Sequence, residues 1–180
     1  HLDGHASGAL YNLTLNNERA GSPDFLIDLG DTSMSEKLPA KTPEAIRERY
    51  LLKRSYFGTI GHSIPLYLVL GNHDGETGYT VAGTDSSLAR LSLQFRKMYF
   101  PNPEPDGFYS GNPENDPAMG LRQDYYAWRW GEALFIVIDP YSYTTTKPSG
   151  KTDGWNWTLG STQYYWLRQT LEGNNANYTF

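Results

Sequence analysis

Ile64-Pro65-Leu66-Tyr67-Leu68-Val69-Leu70-Gly71-Asn72-His73-Asp74 is the stretch that decides the fold. A short, near-continuous apolar run suits a strand covered on both faces. It ends in glycine, and hard polar side chains follow at once. The same order occurs earlier, where Phe25-Leu26-Ile27-Asp28-Leu29 runs into Gly30-Asp31. A third apolar run, Ala133-Leu134-Phe135-Ile136-Val137-Ile138, ends at Asp139-Pro140. Periodicity alone does not separate such runs from buried helix. Their shortness and their Gly or Pro ends favour strand.

Helical patterns lie between these runs. Leu10, Leu13, Asn17 and Ala20 share one face of a helix after Ser7. Thr42 followed by Pro43 is a strong helix start, a capping hydroxyl and then proline in the first turn. Ile46, Tyr50 and Phe57 then recur at helical spacing. A third helix, capped by Asp85 or a neighbouring serine, turns Leu88, Leu91, Phe95 and Met98 inward. A fourth runs from about Thr162 to Glu172, with Trp166, Leu167 and Leu171 inward and Gly173 as its stop. Helices alternating with buried strands predict an α/β fold with much parallel pairing. Pro101 to Pro117, rich in Pro, Asn and Gly, reads as an irregular excursion. Tyr141 to Leu159 reads as a second long loop, loaded with Tyr, Thr and Trp.

The chain has 180 residues, 38 % hydrophobic and 19 % charged, which suits one globular domain rather than a disordered segment. A net charge of -5 argues against a general nucleic-acid binder. It leaves room for a phosphate substrate, because metal ions supply positive charge locally. There are no cysteines, so any metal must sit on nitrogen or oxygen ligands. No apolar run approaches the roughly 20 residues of a membrane span.

Polar residues placed just after a strand project where ligands bind in open α/β sheets, outside the carboxyl ends of the strands. Asp31 and Asn72 offer oxygen and His73 offers nitrogen. That mixture suits two divalent ions of the Mn, Fe or Zn kind better than a calcium-only cage. The two oxygens of Asp31 can bridge metals about 3.5–4 Å apart, the spacing of two-metal phosphate chemistry. Gly-Asp alone is usually a turn, and so is Asn-His-Asp. Their recurrence at matched positions on two strands is the stronger signal.

Gly30-Asp31 and Gly71-Asn72-His73-Asp74 resemble the second and third blocks of the calcineurin-like metallophosphoesterase family. That family's pattern is Asp-x-His, Gly-Asp, Gly-Asn-His-Asp or -Glu, a lone His, then Gly-His-x-His. Tyr125-Tyr126-Ala127-Trp128 and Gln163-Tyr164-Tyr165-Trp166-Leu167 resemble its middle region. The resemblance implies a two-sheet α/β sandwich flanked by helices, here a single partial domain over 1–180, truncated at both ends. It implies that Asp31 bridges two metals and that Asn72 binds the second. It implies that His73 contacts the substrate phosphate and that Asp74 orients the His73 ring. The first block has two readings. Either His1 is its histidine, or Asp3-Gly4-His5 is the block itself; the first is preferred because family members often continue with Leu-Asp. No histidine follows His73, so the last two blocks are absent and the 180-residue piece is expected to bind metal weakly and to be a poor catalyst. Purple acid phosphatases, a branch of the family, place an iron-binding tyrosine three residues after the bridging aspartate. Met34 stands there, so the chain is expected outside that branch.

The expected activity is hydrolysis of a small phosphate mono- or diester. The rival is a degenerate, non-catalytic module that grips carbohydrate or another ligand through the aromatic loop. Tyr141, Tyr143, Trp155 and Trp157 are its candidates, although core packing and loop pinning are the ordinary use of such residues. His62 reads as a loop residue and Asp139 as structural. Asn-x-Thr sequons at Asn12, Asn156 and Asn177 are close to chance. The Tyr-, Asn- and Thr-rich loops and the lack of cysteine lean towards an extracytoplasmic bacterial protein.

Overall fold

Strand β1 (Leu26–Asp28) runs parallel to β2 (Leu66–Leu68), with Leu26 opposite Leu66 and Asp28 opposite Leu68. In this computed structural model, residues 7–80, 87–148 and 157–180 are described. The crossover between the two strands contains α2 (Pro43–Gly61). The Thr42 hydroxyl accepts from the Ala45 N–H at 3.2 Å, and Pro43 fills a first-turn position that needs no donor. Helix α1 (Gly8–Ala20) packs on α2, with the Tyr11 ring edge-on to Tyr56 and Phe57. Helix α3 (Leu88–Tyr99) also packs on α2 and is capped by Ser87.

The side chains of β1 and β2 alternate between two cores, as the period-2 geometry of a strand requires. Leu26, Leu66 and Leu68 join Ile46, Tyr50, Phe57, Leu91 and Phe95 beneath the helices. Phe25, Ile27, Tyr67 and Val69 face the other way, onto Tyr126, Trp128, Val137 and Phe135. Both strands are therefore covered on both faces, which explains their unbroken apolar runs.

That second face is a four-stranded sheet in the order β3 (Ser110–Gly111), β6 (Tyr126–Trp130), β7 (Ala133–Val137), β8 (Tyr178–Thr179). A minor pair, β4 (Asn115–Asp116) and β5 (Gly120–Leu121), decorates the excursion before it. Aromatic rings fill the space between the sheets. Tyr67 stacks on Trp128 at 4.2 Å, and Trp128 stacks on Phe135 at 5.0 Å. Helix α4 (Gly160–Glu172) follows the long loop, and β8 returns beside β7 in parallel. The protein is thus mixed α/β, with four helices among the described residues.

Several expectations need correction. The run at Ala133 is not a parallel partner of β1 and β2. It pairs antiparallel with β6, through a tight turn at Gly131 whose φ is +58°. The strand ends are shorter than the apolar runs, and Leu29 is 80 % exposed. Leu10, Leu13, Met98 and Leu171 are exposed, because Tyr11 and Leu15 form the inner face of α1 and Gln163 is the buried residue of α4. Asp85 lies outside the described residues, and Ser87 does the capping. No described helix is long and apolar enough to cross a membrane.

Candidate metal centre

The loops after β1 and β2 touch backbone to backbone. Gly30 has φ +89°, and a Cβ there would lie 2.5 Å from the Gly71 nitrogen and 2.9 Å from the Val69 carbonyl oxygen. A Cβ on Gly71 would collide with the Asp31 backbone nitrogen and carboxylate. The two glycines therefore serve the approach of one loop to the other. Asp31 itself has φ +54°, a left-handed conformation that aspartate tolerates better than most residues.

Asp74 fastens this contact. Its Oδ2 accepts from the N–H groups of Asp31 (2.8 Å) and Gly71 (2.9 Å). Its Oδ1 accepts from Ser33 (2.9 Å) and Met34 (3.3 Å). Four backbone donors on one buried carboxylate fix both loops, and charged acceptors make such bonds strong. This corrects the expected role of Asp74: its oxygens hold backbone, not the His73 ring. The residue that meets the ring is Glu36, in the single turn Ser35–Lys37, whose Oε2 bonds His73 Nδ1. Nothing in the sequence marked Glu36, since its use depends on how the loop after Asp31 folds back.

Asp31 Oδ1 accepts from the His73 N–H at 2.9 Å. The Asn72 side-chain nitrogen lies 3.3 Å from His73 Nε2. Asp31, Asn72 and His73 are thus brought together, all half-buried, at the carboxyl ends of two adjacent parallel strands. Lys147, from the loop after β7, bonds the second oxygen of Glu36 at 2.8 Å. Burial pushes the Glu36 carboxyl up, but the hydrogen bonds and charges of Lys147 and His73 outweigh it and hold Glu36 below its ordinary range.

The surroundings are rigidly tied. Glu76 and Arg96 form a buried two-point ion pair, Nε to Oε1 at 2.6 Å and Nη2 to Oε2 at 3.0 Å. That pair binds the segment after Asp74 to α3. Asp139 is buried, and its Oδ1 accepts from the Tyr141 and Ser142 N–H groups. The Gln163 amide bonds the Asp139 backbone at both its N–H and its carbonyl, 2.7 Å each. Burial, and then the neighbouring Asp124 charge, push the Asp139 carboxyl up to about 7.

Of the loop aromatics, Tyr143 packs on Gly160 and bonds Glu114, so it pins the loop. Tyr141 is different. Burial pushes its phenol up, and the charges of Asp31, Asp139 and Asp74 push it further, so it lies within electrostatic reach of the site. Its ring meets Trp157 edge-on at 5.1 Å, and Trp157 in turn meets Tyr79 at 6.1 Å. Trp155 lies outside the described residues. His62 caps the far end of α2 and lines a hollow of about 400 Å³ with Arg54, Phe57, Leu66, Leu68 and Tyr99, a lining that includes none of Asp31, Asn72 and His73.

His1, Asp3 and His5 also lie outside the described residues, so neither reading of the first block is decided. The donors that are described fit a hard divalent ion in kind. One oxygen of Asp31 and the Asn72 carbonyl oxygen are engaged by no hydrogen bond among the described residues. In number they make half a site, for no three His, Asp or Glu side chains among the described residues are grouped to hold a metal. Comparison with protein-family models, with curated proteins and with solved structures finds no match to the chain.

Proposed function

We propose that the protein is a metal-dependent phosphoesterase of the calcineurin-like kind, hydrolysing small phosphate mono- or diesters on a two-sheet sandwich. One observation carries the reading. Two parallel strands end in loops welded by Gly30, Gly71 and Asp74, and the weld presents Asp31, Asn72 and His73 side by side. A turn needs no such weld, and sites in open sheets form at these strand ends. Asp31 and Asn72 would hold two divalent ions, with further ligands from residues outside those described. Bound there, the ions supply positive charge for the phosphoryl oxygens and lower the pKa of water towards neutrality.

The chain's own residues do the rest. Asp31 keeps one oxygen on the His73 N–H, which fixes its carboxylate plane. His73 points Nε2 at Asn72, where a phosphate would sit. Water oxygen bonds to phosphorus as the bond to the leaving oxygen breaks. When both ring nitrogens carry a proton, His73 hands the one on Nε2 to that leaving oxygen, Nδ1–H staying on Glu36, and the ring recovers a proton from the attacking water.

Manganese-dependent hydrolysis of chromogenic mono- and diesters by the full-length protein tests this, beside Asn72→Ala. The expected result is metal-dependent turnover that falls at least about 100-fold in the variant. No turnover with Mn, Fe, Zn or Co would remove the reading. The second reading, a carbohydrate-binding module, has the Tyr79–Trp157–Tyr141 rings beside the site in its favour. Calorimetric titration with oligosaccharides would then become the deciding experiment.

A further inference from the structure

Residue 36 meets residue 73 twice. The Glu36 N–H donates to the His73 carbonyl at 3.1 Å, and Glu36 Oε2 bonds His73 Nδ1. Glu36 Oε1 accepts from Lys147 Nζ at 2.8 Å, so both carboxylate oxygens are engaged. The Glu36 side chain is 16 % exposed, against 56 % for Lys147. Asp74, the acid next to His73 in sequence, is committed to four backbone N–H groups. Met34, closer to Asp31, is apolar and buried.

A carboxylate accepts hydrogen bonds and cannot donate them, so Nδ1 must carry the proton. In the neutral ring Nε2 is then the lone-pair nitrogen, and it faces the Asn72 amide. The hydrogen bond made by one ring nitrogen decides the state of the other. Imidazole left to water takes mainly the opposite form, with hydrogen on Nε2.

We propose that Glu36 is the positioning residue of this site: it holds His73 as the Nδ1–H tautomer and aims Nε2 at the ground in front of Asn72. The contact with the His73 carbonyl fixes the backbone of the same residue, so ring and chain are gripped together. Lys147 occupies the outer oxygen and keeps Glu36 from turning away, but as an exposed ion pair it contributes little by itself. The catalytic consequence rests on the phosphoesterase reading; the tautomer does not.

Long-range ¹⁵N–¹H correlation spectra of the full-length protein, at alkaline pH and without metal, read the tautomer directly. The His73 signal is assigned by its loss in His73→Gln. The expected spectrum shows a single Nδ1–H ring in the wild type. Glu36→Ala should shift it towards Nε2–H, and Glu36→Gln, whose amide oxygen still accepts, should restore most of the Nδ1–H form. A wild-type ring found as Nε2–H would overturn the proposal, and needs no variant to do so. An Nδ1–H ring that persists in a folded Glu36→Ala would overturn it equally.

Kinetics supply the second readout. Glu36→Ala should lower kcat by about 10–100-fold, the usual cost of losing a group that orients a working histidine, with KM changed less than about threefold. An unchanged kcat in an active enzyme would reject Glu36 as a positioning residue. Absence of turnover in the wild type would reject the phosphoesterase reading instead, and the tautomer would still decide the case of Glu36.

Discussion

Asp74 carries more of this site than its position in a four-residue motif suggests. Its two oxygens receive N–H groups from residues 31, 33, 34 and 71, and so from both loops. Asn in its place keeps the shape but turns an amide NH₂ towards two backbone donors. Asp74→Asn should therefore cost about 3 kcal/mol or more, since two buried N–H groups lose their acceptor. Urea denaturation measures it, and a loss below about 1 kcal/mol would show that the loops hold without the carboxylate. At this scale the sequence was half legible. Gly30 and Gly71 announced tight backbone, and the polar residues after them are the ones the two loops bring together. The jobs of Asp74 and Glu36 were not legible, because they depend on which loop folds back onto which. Residue 36 reaches residue 73 only once the turn at Ser35–Lys37 has formed.

Among the elements, helices declared themselves better than strand partners. Thr42-Pro43 marked the start of α2, and the buried face through Ile46, Tyr50 and Phe57 followed from a 3.6-residue period. Pairing is non-local, so the apolar run at 133–138 gave no hint that its neighbour was the aromatic stretch Tyr126–Trp130. Rings at Tyr126, Trp128 and Trp130 do alternate with Ala127 and Arg129, as a strand's period requires, but alternation names no partner strand. The inward face of a helix also depends on its partners, and Met98 shows it: the period includes it, yet it is 57 % exposed at the end of α3. The contrast is measurable. Phe57→Ala, which empties the core shared by α1, α2 and Phe100, should cost about 3–5 kcal/mol. Met98→Lys should change stability by no more than about 0.5 kcal/mol. Equal losses in the two unfolding curves would mean that the core is placed wrongly.

For the whole molecule, the site sits where three bodies meet: the welded loops, the Glu76–Arg96 pair on α3, and the loop that Asp139 starts. Asp139 makes the stability of that assembly depend on pH. It is fully buried, one of its oxygens has no partner among the described residues, and Asp124 is its charged neighbour. Arg122 is bound to Asp124 at 3.1 Å and offsets the effect in part. Asp139 is therefore raised from 3.8 to about 7 on folding. A carboxyl raised in this way binds its proton more tightly in the folded state. Its favourable contribution is complete below the unfolded value and is lost as pH rises from about 4 through 7, where the unfolded chain is already ionised. The loss is on the order of a few kcal/mol, because a tenfold difference in proton affinity between the two states is worth about 1.4 kcal/mol. Asp139→Asn keeps an oxygen for the Tyr141 and Ser142 N–H groups and carries no proton to lose. Urea midpoints at pH 5 and pH 8 should therefore fall with pH in the wild type and change less in the variant. A wild-type midpoint that holds or rises over that interval, with the variant following it, would show that Asp139 is ionised in the folded protein throughout.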